Sequence, residues 1–477
     1  MFAASKSGRA AAAAAATDPL FPYVPLLLNT TSTNGQQNNT FLDSSTNNFT
    51  ITRNGTPTQG SVTPYWPDGQ WSNYLGGTGN WLTAPSNAAF DFGTGDFTIE
   101  TWVYFAAYTS AYQFLISRRA SGAVYGPFAM GLTNSNTPYF ACSSNGSSWI
   151  FQITGSAGLA LNSWIHFAGV RSGSTFTLYV NGVSVGTATS SASLVASSSS
   201  LGIGAHANGD EILNGYLSNT RIVKGTAVYT GAFTPPTTPL TAITNTSLLT
   251  CQSNRFKDNS TNNFTITANG TPKVQAFQPF SPAASYTTAA YGGSGYFAGT
   301  GNWLTAPSNA AFDFGSGDFT IEAWGYTTAS SGYGFLISRR ASDATFGPFT
   351  LGLAPGNIPY FACSSSGSAW IFQINGSALP LNSWFHLAGV RSGSTFTLYA
   401  NGVSVGTASS SSSLMASSVA VGIGAQVNGD ATFTGNISNA RIVKGTAVYT
   451  SAFTPPTSPV TAITNTSLLT NFTNAGI

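Results

Sequence analysis

Charge is what this sequence has least of. Its 477 residues carry 16 basic and 14 acidic side chains, 6% in all, against roughly a quarter in an ordinary soluble domain. The net charge of +2 gives no reason to expect a nucleic-acid or anionic-membrane surface. Glutamate occurs only at Glu100, Glu211 and Glu322. A chain so poor in helix formers excludes a mainly helical fold. No apolar run approaches the roughly 20 residues of a spanning helix, so no membrane insertion is expected. The three cysteines are too few for a disulfide framework. Cys142 and Cys363 stand in the same phrase, YFACSS, and read as small apolar strand residues of two equivalent positions. Folding in a reducing cytoplasm is expected.

What the chain does contain excludes disorder, since 13% of it is aromatic and 42% hydrophobic. Thr, Val, Phe, Tyr and Trp beside abundant Gly and Asn point to strands and tight turns. A surface of hydroxyls and amides suits a β-protein that works outside a cell.

Duplication organises the chain. GTGNWLTAPSNAAFDFG begins at Gly77 and again at Gly299, AGVRSGSTFTLY at Ala168 and Ala388, RIVKGTAVYT at Arg221 and Arg441, and STNNFTIT at Ser45 and Ser260. A repeat of about 220 residues is a copied domain, far longer than a solenoid unit. The repeats place domain 1 at residues 23–240, a Pro/Thr-rich linker at 241–246 and domain 2 at 247–460. NTSLLT opens domain 2 at Asn245 and returns at Asn465, so residues 461–477 read as the start of a third repeat or as a C-terminal extension. Continuation past Ile477 is the favoured reading. Residues 1–22, MFAASKSGRAAAAAAATDPLFP, lack the Leu or Val core of a secretory signal. They read as an extended assembly arm held by neighbouring chains.

Within each unit the apolar pattern has period two. FTIETWVYF puts Phe97, Ile99, Thr101, Val103 and Phe105 on one face and Trp102 and Tyr104 on the other. Both faces are apolar, as inside a two-layer structure. Asn181-Gly182 and Asn401-Gly402 are type I′ turn pairs at the tips of hairpins. A dozen or more short strands per unit, with no helix after the first residues, make the fold all-β, a β-sandwich in each unit.

The order of these phrases closely resembles the laminin-G-like branch of the concanavalin A-like lectin/glucanase superfamily, over residues 23–240 and 247–460. The resemblance implies two tandem jelly-roll sandwiches. The endings KGTAVYTGAFTPP and KGTAVYTSAFTPP and the leader MFAASKSGRA resemble those of tandem-domain structural proteins of marine tailed phages.

Glycosidases of this superfamily need two carboxylates flanking the scissile bond. The matching strand here carries Glu100 alone, and its copy carries Glu322 alone. Catalysis is therefore not expected, and Glu100 should bond an arginine or cap backbone groups. His166 and His386 sit mid-strand beside tryptophan and read as core histidines. His206 becomes Gln426 in the second copy. Repeated basic residues, among them Arg118-Arg119 and Arg339-Arg340, outnumber their acidic partners and should bond backbone carbonyls or neighbouring subunits.

No cofactor is required. Calcium is the one metal the resemblance suggests, at Asn208, Asp210, Asn428 and Asp430. The competing reading is a plain Asn-Gly-Asp turn. Glycan binding needs aromatic plates beside amide or hydroxyl groups. Trp149 and Trp370, after the loops SSNGSS and SSSGSA, are candidates with Tyr125 and Phe346. Trp66 and Trp71 are candidates of domain 1 only, while Trp81, Trp102 and Trp164 read as core.

The resulting expectation is a non-enzymatic virion structural protein, a capsid decoration, head fibre or tail fibre. It would be made in the host cytoplasm and displayed on the virion surface. Other virion proteins would hold its arm, copies would form a homo-oligomer, and cell-surface polysaccharide would meet its outward loops. The alternatives are a bacterial cell-surface adhesin of the same fold and, with less support, a polysaccharide hydrolase.

Overall fold

The computed structural model describes residues 41–109, 111–155, 158–280, 287–329 and 332–472. The arm expected at residues 1–22 lies outside them. Two β-sandwiches are built, each from one seven-stranded and one eight-stranded antiparallel sheet. No helix among the described residues is long and apolar enough to cross a membrane.

In sandwich 1 the larger sheet is centred on Phe97–Phe105, flanked by Trp164–Ser172 and Gly215–Lys224. Phe97, Ile99, Val103 and Phe105 are fully buried against the smaller sheet, where Phe128, Met130, Phe140 and Cys142 meet them. The alternation of the sequence is thus the inside and outside of a sheet. Thr101 also faces inward, its Oγ1 2.7 Å from Thr220 Oγ1. Sandwich 2 repeats the arrangement around Phe319–Thr327. Cys142, Cys251 and Cys363 are buried and free. Burial pushes the Cys251 thiol up to about 12.

The outer face of the larger sheet is covered at one end by the returning tail. Tyr229 and Phe233 stack with centroids 3.6 Å apart and pack on Ala168, Val170 and Tyr179. Asn181 and Gly182 both have positive φ, 47° and 77°, as a type I′ turn demands. A Cβ on Gly182 would lie 1.7 Å from Phe233 O, so glycine also lets the tail approach the hairpin.

Beneath the tail lies a buried carboxylate. Glu100 Oε1 accepts from Arg221 Nε at 2.9 Å and Nη2 at 2.6 Å. Its Oε2 accepts from Tyr229 OH at 2.7 Å and His166 Nε2 at 3.2 Å. Glu322 has the same partners in Arg441, Tyr449 and His386. The expected arginine partner is present, and both histidines are core residues.

Sandwich boundaries and repeat boundaries do not coincide. Thr52–Asn54 pairs with Trp303–Ala306, and Thr58–Gly60 pairs with Ser294–Ala298, both in sandwich 2. In return Thr267–Asn269 pairs with Trp81–Ala84, and Lys273–Gln275 with Ser72–Tyr74, in sandwich 1. Thr246–Thr250 and Thr466–Thr470 each pair with a strand of the sandwich that precedes them. Strand pairing therefore crosses the repeat division at 23–240, 241–246 and 247–460 in both directions. NTSLLT closes a sandwich instead of opening one, so at 466–470 it is the last strand of sandwich 2. The repeat marks the unit that was copied, whereas packing follows whichever groove a segment fits.

The sandwiches meet through aromatic rings. Tyr65 and Trp71, from the segment leading into sandwich 1, cluster with Trp324 and Trp384 on the outer face of sandwich 2. Arg255 sits 5.4 Å from the Trp324 ring centroid.

Removing one partner of a fully buried ion pair strands the other charge, at a cost of roughly 3–5 kcal/mol. Glu100→Gln and Glu322→Gln are each expected to lower stability by about that amount in denaturant titrations. Burial alone would raise the pKa of Glu100, but the His166 hydrogen bond and the Arg221 charge outweigh it and hold it below the ordinary carboxylate value. Glu322 is likewise held low, by His386 and Arg441 against burial. The unfolded chain therefore binds these protons more readily. The stabilisation is complete above the unfolded carboxylate pKa and is lost as pH falls through the folded one. Acid titration of the melting temperature should show this fall in the wild type and a smaller one in either Gln variant.

Candidate functional site

One rim of each sandwich gathers the residues that sequence reading picked for glycan contact. In sandwich 1 the strand Gln113–Ser117 ends at two arginines that part company. Arg118 turns inward and bonds Asp91 and the Ser197 carbonyl. Arg119 turns to the rim, where its Nε donates to Val124 O at 2.7 Å, which curls the loop 119–125 around the guanidinium.

Two aromatic rings bracket Arg119. Its Cζ is 5.2 Å from the Trp149 centroid and 5.9 Å from that of Tyr125, within cation–π range. Trp149 and Tyr125 meet edge to face, centroids 5.1 Å apart at 79°. Tyr125 is 36% exposed, and Trp149 is half-buried. The loop before Trp149 is set by Ser143, whose Oγ donates to Ser148 O at 2.6 Å and accepts from Gly146 N at 3.0 Å.

Sandwich 2 builds the same assembly. Arg340 Cζ lies 5.3 Å from the Trp370 centroid and 5.9 Å from Phe346. The two rings are 5.2 Å apart at 83°. The structure brings the separate candidates together as pairs, Trp149 with Tyr125 and Trp370 with Phe346.

A carboxylate stands beside each arginine, but from opposite loops. In sandwich 1 it is Glu211, whose Oε2 lies 2.7 Å from His206 Nε2 and 4.0 Å from Arg119 Nη1. In sandwich 2 the equivalent of Glu211 is Ala431, and Asp343, equivalent to Gly122, supplies the acid 3.3 Å from Arg340. Asp343 also accepts from Gln426, the counterpart of His206. Sequence reading missed these carboxylates and the two arginines at the site. It compared like positions, and the acid is preserved in space while its position in the repeat moves. His206 is kept neutral to lower pH chiefly by burial.

Beside the second cluster a cleft of about 410 Å³ is lined by Tyr333, Gly334, Asp343, Asn357, Ala431 and Thr432. Tyr333 is 43% exposed there. The guanidiniums are committed to loop carbonyls and the nearby side chains, so they fix the rings in place. The exposed ring surface and the open Asp343 carboxylate can hold a sugar by stacking on its C–H face and hydrogen-bonding its hydroxyls.

Trp66 and Trp71 belong elsewhere. Trp71 is 3% exposed in the aromatic seam between sandwiches, and its Nε1 donates to Trp66 O at 2.9 Å. Trp66 stacks on Tyr291 at 4.5 Å. Trp71 is thus packed in the seam and apart from the rim, and Trp66, half-buried, stands against Tyr291 and also apart from it. Trp164 departs from the core reading in a lesser way. It is half-buried, with Tyr104 and Tyr216 on the sheet's outer face and Phe277 above.

The calcium candidates are committed to one another. Asp210 N donates to Asn208 Oδ1 at 3.1 Å, and Asn208 Nδ2 donates to Asp210 Oδ2 at 2.7 Å. The same Oδ2 accepts from Gly122 N at 3.2 Å. Asn428 and Asp430 form the same turn. Among the described residues no three His, Cys, Asp or Glu side chains converge. A cation wanting six to eight oxygens does not fit this donor set. The geometry is that of an Asn-Gly-Asp turn.

A family model described as the concanavalin A-like lectin/glucanases superfamily matches residues 75–228 and 298–448. No curated protein matches the chain. Among solved structures, one similar chain is a Bacteroides ovatus protein provisionally described as carbohydrate binding. It is 14% identical with a TM-score of 0.35, and the match covers 45% of this chain and 61% of that one. Domains LG4-5 of the mouse laminin alpha1 chain are 13% identical with a TM-score of 0.25, over 84% of this chain and 96% of theirs. A heptameric SAP-like pentraxin from Limulus polyphemus is 16% identical with a TM-score of 0.30, over 45% of this chain and all of its own.

Ligand binding to the native state raises its stability by mass action. Millimolar calcium or EDTA is expected to leave the melting temperature unchanged. A calcium-dependent rise would reinstate a metal at Asp210 or Asp430.

Proposed function

The chain belongs to the concanavalin A-like lectin/glucanase superfamily, and we propose that it is a non-enzymatic glycan-binding protein. The observation that carries this reading is the rim cluster built twice, Arg119–Trp149–Tyr125 and Arg340–Trp370–Phe346. Two weak sites on one body, multiplied over many copies, gain strength by multivalency.

The non-enzymatic part is supported by the only two acids on the central strands. Glu100 and Glu322 are fully buried and bonded to Arg, Tyr and His. A hydrolase needs its carboxylates at a bond that substrate can reach.

The finer reading places the protein on a virion surface, as capsid decoration, head fibre or tail fibre. It is supported by the leader MFAASKSGRA and the endings KGTAVYTGAFTPP and KGTAVYTSAFTPP, which resemble those of marine tailed-phage structural proteins. Residues 1–22 would contact other virion proteins, and copies would associate as a homo-oligomer. Cryo-electron microscopy of purified particles tests this. Density for two joined sandwiches on the capsid or tail is expected. Absence from every particle would move the protein to a bacterial cell surface.

For the glycan reading, the measurement is binding to an array of bacterial and algal polysaccharides. Losing one stacking ring costs about 1.5 kcal/mol, roughly tenfold in affinity. Trp149→Ala and Trp370→Ala are each expected to weaken binding, and the double variant to abolish it. No reducing ends should appear. Binding untouched in the double variant would refute the rim as the site.

A further inference from the structure

The segment that completes sandwich 2 is chemically interchangeable with the one that completes sandwich 1. Residues 45–52 and 260–267 share the sequence STNNFTIT, and each is introduced by an aspartate that ties the same knot. Asp43 Oδ1 accepts from Ser45 N at 2.9 Å and Leu469 N at 3.0 Å. Its Oδ2 accepts from Ser45 Oγ and Phe49 N, both at 2.9 Å. Asp258 Oδ1 accepts from Ser260 N at 2.9 Å and Leu249 N at 3.0 Å. Its Oδ2 accepts from Ser260 Oγ at 2.8 Å and Phe264 N at 3.0 Å. The following ring enters the core in both places, Phe49 5.3 Å from Phe312 and Phe264 5.4 Å from Phe90.

Only the chain path differs. Asp258 lies 9 residues from the strand it caps, and Asp43 lies 426 residues from its own. Nothing in the groove of sandwich 2 recognises that its plug comes from the same molecule. The lending is also reciprocal, each sandwich receiving strands from the opposite repeat. That is the geometry of a strand-swapped dimer confined to one chain. The connection from the plug to sandwich 1 is residues 61–71, with Val62, Pro67 and Asp68 exposed.

We propose that residues 41–60 are a portable plug whose second acceptor is another copy of this chain. The plug of one copy fills sandwich 2 of the next, and repetition gives head-to-tail oligomers. The strand pairing and aspartate bonds of residues 41–60 are the same in cis and in trans. The two states therefore differ in chain entropy and in the seam contacts of Tyr65 and Trp71, which are kept only where sandwich 1 follows its plug onto the acceptor. A short tether gives the cis plug an effective concentration of order millimolar. Closure within one molecule therefore dominates in dilute solution, and exchange grows where copies are crowded. This inference rests on strand pairing and is independent of glycan binding.

The test uses the full chain with cysteines introduced at a directly opposed pair, Thr52 and Thr305. The native cysteines are buried in the folded chain, and reductant is kept until refolding is complete so that they stay out of the reaction. The double variant, Thr52→Cys with Thr305→Cys, is expected to form an internal disulfide when oxidised dilute. The two single variants are then mixed, unfolded, refolded together and oxidised. Mass spectrometry of the non-reduced product should find a disulfide joining position 52 of one chain to position 305 of another. Its yield should rise about tenfold for a tenfold rise in protein concentration while cis closure dominates. An internal link in the double variant with no link between mixed single variants at any concentration would overturn the proposal. So would absence of the internal link, because the cis plug would then not exist.

Discussion

In each sandwich one buried carboxylate joins four separate stretches of chain. Glu100 sits on the central strand, His166 and Arg221 on the two flanking strands and Tyr229 on the tail that folds back over them. Arg221 extends the tie with a bond from Nη1 to Thr241 O at 2.9 Å. Charges are scarce in this chain, and an unpaired one at this depth would be costly. The carboxylate therefore fixes which strands neighbour one another and where the tail must lie. The tail position in turn dictates the glycine at the hairpin tip, because the Phe233 carbonyl occupies the space of a side chain there.

The rim clusters depend on this frame without being part of it. They sit on loops between strands, where side chains can vary while the sheet stays fixed. The transfer of the acid from Glu211 to Asp343 illustrates that freedom. A carboxylate is kept near Arg119 and Arg340 although the loop that supplies it changes. Asp343 and Ala431 both line the cleft of sandwich 2. The two rims share the tryptophan and the arginine and differ in the second ring, Tyr125 in one and Phe346 in the other.

Much of this was legible in the chain. Period-two alternation in FTIETWVYF marked the buried face of the central strand, because a pleated sheet has no other way to sort those side chains. Asn181-Gly182 announced its turn through the two positive φ angles it allows. Trp149 and Trp370 were legible as candidates because each follows a polar loop, whereas their contacts with Tyr125 and Phe346 span a fold in the chain. Trp71 was not legible. It is buried in a cluster that includes Trp324 and Trp384 of the other sandwich, and nothing in the neighbouring TPYWPDGQW records them.

Composition, alternation and duplication by themselves determined the all-β class, the two equivalent units, the buried cysteines and the solitary acid on each central strand. These are local properties, set by one residue and its near neighbours. Tertiary structure alone decided which groove STNNFTIT fills, whose aromatic rings seal the seam and which loop supplies the rim acid. Two identical segments have identical local preferences, so only the path of the chain and the available groove can distinguish their destinations.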